Sequence, residues 1–560
     1  MKTHTPITFF HRLGIFYLAT GFIWLSGCSS KQPAKSPEPP SASASPQTMN
    51  QAERSASDGP RMAGPAMPHR RGNADAGRDV FRFETFGNEG FWTDAMRMPQ
   101  GMKDAKVTPI DALKAGVTVD AKAIEPSLRA ALAKELKTDM SPQNAPLLND
   151  PMTTVKLIEL KAVAGIVPKD SNGDGKIDIA SGDKVGLSCA ICHTISDKSV
   201  FDMPGAGSIG KRLDGRAALT LNVGKLLALA ANSRAYYPNL QLVLGGKTIG
   251  RAPKGITPDS TEAEVDAYLM NPEFYPVGTF DETQDGVGNP VVNTPLFRQD
   301  LAAPYGTAGE FAILDNIGNS SYTSNLDPTT LVTPEGRAFL RIKAGPLGEE
   351  LANNYEKILK ESGVTGYPFV KAKMAGKPGE LANIVGRRVD DQKLIDMNAY
   401  IDALKAPKGA KVDSSASARG RKHFRNNCTS CHNVDQSRPV PTMLVDMKKM
   451  MPDYQPEVLG QRPPLSPIQN SSGGFDDKMI IVDASDRGDK RGFALPLLLD
   501  LDRKEKFLHD VSVTGLDALL DPKRGDTAPH PFYIADPSQR GEMVDFLRSL
   551  DTGESPVAKR

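Results

Sequence analysis

Two short stretches carry residue types and spacings that could do chemistry. Residues 185 to 195 read "VGLSCAICHTI", with Cys189, Cys192 and His193, and "NNCTSCHNV" carries Cys428, Cys431 and His432 at the same spacing. Two cysteines three positions apart can chelate zinc, cycle as a dithiol, close a disulfide or bond covalently to haem. A zinc site would need the pairs to converge from far apart in the chain, and it leaves the histidine repeated in both copies unexplained. A dithiol of the thioredoxin type needs a βαβ setting, which neither flank offers. Haem accounts for every residue: two thiols form thioethers to the vinyl groups, and the adjacent histidine reaches the iron as its proximal ligand. Of the five cysteines, these pairs use all but Cys28. The expectation is two covalently bound haem c groups, with His193 and His432 on the irons.

Function then turns on the sixth ligand, because a filled iron transfers electrons and an open one binds oxygen or peroxide. His509, in "KEKFLHDVSVTGLDALLDP", is the candidate for the second haem; the alternative is a histidine that bonds a haem propionate or a backbone carbonyl. No histidine lies between 194 and 422, so a protein ligand to the first iron from its own module would be a methionine, Met203 or Met270. The first haem is the expected open site. Trp92 stands in "FETFGNEGFWTDAM" with Phe83, Phe86 and Phe91, a cluster that either lines a pocket, carries electrons or is plain core. Glu84, Glu89 and Asp94 beside it are the nearest acid–base groups, and a charged surface explains them equally.

A third motif, "DSNGDGKID", places Asp170, Asn172, Asp174, the Lys176 carbonyl and Asp178 at EF-hand ligand positions, with Gly175 at the sharp turn. Ser181 occupies the last position, where a bidentate glutamate belongs. Calcium and a simple polar turn both fit, and Asp183 is the group that would have to swing in.

The elements that must hold these motifs are small helical units in which the first helix crosses the last. In "ARGRKHFRNNC" Gly420 and Phe424 share a helical face, and in "RGEMVDFLRSL" Met543, Phe546, Leu547 and Leu550 form another. A glycine that lets helices approach and an aromatic that fills the contact resemble the cytochrome c pattern. "LIDMNAYIDALKAP" repeats the second face weakly with Leu394, Met397, Ile401 and Leu404. The span from His193 to Tyr400 is nearly twice that from His432 to Phe546, and residues 235–385 are rich in Gly, Pro and Asn, which predicts extended loops. One helix is legible at about 261–270, with Thr261 and Glu264 as a capping box. The expected architecture is mostly α: two cytochrome c-like haem domains, 76–408 and 415–552, the first enlarged by loop-rich insertions.

Lys2 and Arg12 precede an apolar run, Ile15 to Trp24, that ends at Leu25-Ser26-Gly27-Cys28. This reads as a secretion signal over 1–27. The small residues before Cys28 resemble the lipobox of bacterial lipoproteins, which implies a lipidated Cys28; the alternative is an ordinary cleaved signal. Residues 28–75 are too poor in aliphatic side chains to order, so they read as a tether. With Ser29 next, the lipoprotein resemblance implies the bacterial outer membrane, facing the periplasm or the cell surface. Lys and Arg number 68 against 67 Asp and Glu, interspersed along the chain, which gives no field for nucleic acid.

"GRDVFRFETFGNEGFWTDAM", "VGLSCAICHT", "GSIGKRLDGRAALTLNVG", "ARGRKHFRNNCTSCH" and "KFLHDVSVTGLDALL" together resemble the dihaem c-type cytochromes related to bacterial rubber oxygenase and, more distantly, dihaem cytochrome c peroxidases and MauG. The resemblance implies an N-terminal haem that binds oxygen or peroxide, with His193 proximal. It also implies a six-coordinate C-terminal haem held by His432 and His509. The family's Tyr/Phe-His-Asn/Asp-Gly-Ser pattern is broken here by Leu508 and Val511. The expected function is electron transfer with redox partner proteins; the alternative is a haem oxidoreductase acting on a small-molecule oxidant or substrate at the first haem.

Overall fold

Helix α1 (Ala74–Phe83) begins where Asn73 caps it, its side chain accepting from the amides of Asp75 and Ala76. Its buried stripe is Gly77, Val80 and Phe81, and that stripe lies against α2 (Asp391–Ala403), which buries Leu394, Met397 and Ile401. The approach is closer than any side chain on Gly77 would permit, since a Cβ there would lie 1.8 Å from the Asp396 carbonyl oxygen. Phe81 fills the space beside it, its ring 5.7 Å from that of Tyr400. A second pair repeats the arrangement: α3 (Ser414–Asn427) crosses α4 (Pro537–Ser549), with Gly420 1.9 Å by the same measure from the Glu542 carbonyl and Phe424 5.4 Å from Phe546. Asp390, Asp413 and Asp536 cap the other three helices through backbone amides one turn in.

The structure, a computed structural model, describes residues 70–297, 314–378, 385–405, 407–428, 481–482, 493–494, 498, 500–508, 511–524 and 533–550. The chain is 45% helix and 12% strand, so helix leads without dominating. The mostly-α expectation is corrected to a mixed architecture, because the strands gather into several sheets of two or three strands each. Ordered contacts begin ahead of the expected boundary at residue 76, since Arg70 bonds Asp391 at 2.7 Å.

In the second pair, α3 runs straight into Cys428, which is its C-cap. In the first, more than a hundred residues separate Phe81 from Cys189. Sequence reasoning placed the enlargement only after His193, yet much of it precedes the motif: short helices and the antiparallel hairpin of β1 (Ile166–Lys169) and β2 (Lys184–Leu187). The later insertion is also more regular than extended loops. Helices Pro334–Ala344 and Pro346–Glu361 pack together there, the second burying Leu351, Ala352, Tyr355, Ile358 and Leu359. The helix Glu262–Met270 carries its capping box on Thr261 and Glu264.

Among the described residues three apolar clusters result. The largest joins the segments on both sides of the first Cys-x-x-Cys-His, the second surrounds the α1–α2 crossing, and the third surrounds α3–α4. Among the described residues no helix is long and apolar enough to cross a membrane.

Candidate functional site

Strand β2 delivers the chain to Ser188, whose amide donates to the Gly165 carbonyl (3.0 Å) and whose hydroxyl donates to the Arg82 carbonyl of α1 (2.8 Å). Gly165 has φ +76°, and a Cβ there would lie 2.1 Å from the Ile191 nitrogen, so glycine is required for the hairpin base to lie on the motif. One helical turn, Ala190–His193, follows, and β3 (Thr194–Ser196) then pairs with β4 (Arg212–Asp214). The turn's last carbonyls are taken up by the chain after β4: Cys192 accepts from Ala218 and His193 from Gly215.

Asp214 ties this unit to both framing helices. Its Oδ1 accepts from the Thr194 hydroxyl (2.9 Å), and its Oδ2 accepts from Arg82 of α1 (2.5 Å) and from the Tyr400 hydroxyl of α2 (2.7 Å). The helix crossing and the Cys-x-x-Cys-His turn are therefore held at one buried carboxylate, whose side chain is 1% exposed.

Cys189 packs at the second cluster, its Sγ 3.5 Å from the Tyr322 hydroxyl and 3.7 Å from the Met397 sulfur. Cys192 packs on the largest cluster, near Tyr236 and Tyr275. Neither thiol is in a disulfide. Burial pushes the Cys189 thiol up, and it pushes Cys192 up to about 12, with Cys189 adding to the effect. A redox dithiol needs a lowered thiol pKa, so these surroundings oppose that chemistry. Among the described residues no three His, Cys, Asp or Glu side chains converge as a metal cluster.

His193 donates from Nδ1 to the Thr294 carbonyl at 2.9 Å. A carbonyl can only accept, so the proton sits on Nδ1 and Nε2 keeps its free lone pair. Protein surrounds the ring densely, although the residue retains some accessible surface. That enclosure pushes the imidazole down to about 4, so it is a neutral base at physiological pH. A neutral imidazole oriented by a carbonyl on its other nitrogen is the form in which histidine binds a metal. Two neutral thiols in apolar walls followed by such an imidazole fit the donor set of haem c.

Other sequence expectations fall differently. Met270 is 55% exposed and faces solvent, and Met203 sits in a turn, its amide donating to Gly207, with its side chain against the largest cluster. Trp92 is core, packed on Phe91 and Tyr236 at ring separations of 5.4 and 6.0 Å, while Phe86 lies apart on Tyr322 at 4.5 Å. Glu84 pairs with Lys393, Asp94 with Lys184, and Glu89 accepts from Thr85.

Asp170, Asn172, Asp174, Lys176 and Asp178 form the tip of the β1–β2 hairpin. Their side chains serve the loop's own amides: Asp170 accepts from Gly173 and Gly175, Asn172 from Asp174, Asp174 from Lys176, and Asp178 from Ser181. Asp183 accepts from the amides of Ser171 and Asp178 and so closes the loop's base.

In the second unit Cys428 is described, partly buried against the third cluster. Cys28, Cys431, His432 and His509 lie outside the described residues. The flanks of His509 do not: Lys506–Phe507 and Val513–Thr514 pair as an antiparallel hairpin, and both Leu508 (φ +68°) and Val511 (φ +54°) are left-handed. Val511 therefore holds a conformation that favours glycine. The Thr294 carbonyl and Tyr322 are the site features that sequence reasoning missed. A backbone acceptor has no residue signature, and Tyr322 is brought in from far along the chain.

No family model, curated protein or solved structure matches this chain.

Proposed function

We propose that this protein is an exported, membrane-anchored dihaem c-type cytochrome whose function is electron transfer. The observation that carries the reading is the His193 imidazole, held neutral with its proton on Nδ1 by Thr294, one turn after two buried, unpaired thiols. In this reading Cys189 and Cys192 hold the first haem through thioethers and His193 ligates its iron, while Cys428, Cys431 and His432 do the same for the second, with His509 as the sixth ligand. Haem c supplies a one-electron Fe(III)/Fe(II) couple when bound. The chain's own part is to orient His193 through Thr294, to exclude water with the apolar walls around both thiols, and to hold the turn against α1 and α2 through Asp214. The repeated Gly–Phe helix crossing, followed directly by Cys428 in the second unit, supports two haem domains of cytochrome c type. A lipid on Cys28 anchors the chain at the outer membrane.

A second reading is favoured by the solvent-facing Met270, which removes one of the two methionines expected as a sixth ligand. An open first iron would make the protein a haem oxidoreductase that activates oxygen or peroxide. A carbon monoxide difference spectrum of the dithionite-reduced holoprotein separates the two. No binding is expected for an electron carrier with both irons filled, whereas binding at one haem in two would transfer the assignment to the oxidoreductase.

A further inference from the structure

A cleft of about 1060 Å³ opens beside the first Cys-x-x-Cys-His, between the end of α1, the base of the β1–β2 hairpin and the start of α2. That size matches the upper end of small-molecule sites, about 300–1,000 Å³. Its floor includes Phe86. The Phe86 ring meets Tyr322 edge-on with centroids 4.5 Å apart, and the Tyr322 hydroxyl is 3.5 Å from Cys189 Sγ. Two side chains in contact therefore separate the cleft from the first thioether position.

Six cationic and five acidic side chains line the cleft, so formal charge alone does not define its ligand. Their engagement does. Glu84 is taken by Lys393 and by the amides of Thr85 and Phe86, Asp390 caps α2, and Asp391 is paired with Arg70 and Arg388. By contrast, the Lys371 and Lys373 ammoniums have no partner among the described residues. Lys169, also on the wall, donates to the Phe83 carbonyl (3.0 Å) and interacts electrostatically with Glu84 and Glu89. Two ammoniums without a partner among the described residues, in a cleft also lined by Phe86, are complementary to an anion.

We propose that this cleft binds a small redox-active anion and exchanges one electron between it and the first haem through Phe86, Tyr322 and Cys189. The proposal rests on the haem assignment above. In the exchange, one electron leaves the reduced haem, the anion gains it and one unit of negative charge, and no bond or proton moves.

Hexacyanometallates are suitable probes. Calorimetric titration of the holoprotein with redox-inert hexacyanocobaltate(III) should show one site, weakened about tenfold or more in the Lys371→Glu/Lys373→Glu double variant, because both charges line the cleft. In stopped flow, ferricyanide should oxidise one haem of two more slowly in that variant by a similar factor. Phe86→Leu should slow the same phase by a larger factor than any change it makes in hexacyanocobaltate affinity. Equal affinity in wild type and double variant would overturn the site, and lost affinity with unchanged oxidation would overturn the electron path. A pyridine haemochrome assay showing no haem would instead remove the haem assignment, and the hexacyanocobaltate titration would still test the cleft.

Discussion

Gly77 and Asp396 meet at a distance that excludes a side chain: a Cβ on Gly77 would lie 1.8 Å from the Asp396 carbonyl oxygen, and Gly420 stands in the same relation to Glu542 at 1.9 Å. The two crossings share further detail. Gly77-Arg78 and Phe81-Arg82 correspond to Gly420-Arg421 and Phe424-Arg425, and Met397, Tyr400 and Ile401 correspond to Met543, Phe546 and Leu547. The chain thus uses one interface twice.

Alanine at Gly77 or Gly420 must push these helices apart, which should cost about 2–3 kcal/mol each. Gly541, also within a helix but with nothing near its missing Cβ, is the control; alanine there should stabilise by up to about 1 kcal/mol through helix propensity alone. Denaturant unfolding of the three single variants measures both signs.

Tyr400→Phe removes one of three donors to the buried Asp214 carboxylate and should cost about 1–2 kcal/mol. Because Asp214 also holds Thr194, next to His193, the substitution should broaden the haem absorption spectrum as well as lower the unfolding midpoint. A stability loss with an unchanged spectrum would mean that the network braces the helices without reaching the site.

The crossing in the second unit was legible in the sequence because Gly420, Phe424 and the Met543–Leu550 face lie close to an intact Cys-x-x-Cys-His. Its counterpart was harder to see. The Gly77–Phe81 face is only a few residues long, and nothing in local periodicity reveals that a hundred residues intervene before Cys189. The helix at 346–361 was readable from Leu351, Tyr355, Ile358 and Leu359 at helical spacing, but the Gly and Pro of the surrounding stretch outweighed it. The cysteines and His193 stood out through their spacing. Thr294 could not, since it contributes only a backbone oxygen.

Val511 adopts φ +54°, which a β-branched residue tolerates poorly. Val511→Gly should stabilise the protein by about 1 kcal/mol, the relief of left-handed strain exceeding the added freedom of the unfolded chain. A lower unfolding midpoint in this variant would show that the valine side chain contributes more than its backbone costs.

Asp391 is held down to about 2, first by the Arg70 hydrogen bond and then by Arg388. Its folded value lies below the ordinary aspartate value of about 3.9, so its contribution is present above pH 4 and is lost as pH falls towards 2. Nearly half of the side chain is exposed, which limits the contribution to less than about 1 kcal/mol. Asp391→Asn should flatten the acid limb of the stability curve in that window and leave its slope above pH 5 unchanged.

Covalent haem at both Cys-x-x-Cys-His sites is tested most directly by acid–acetone extraction of the purified protein followed by a pyridine haemochrome assay on the pellet. The account predicts two haem c per chain, falling to one in a Cys189→Ala/Cys192→Ala variant. Haem that extracts into the acetone, or a pellet with none, would contradict it.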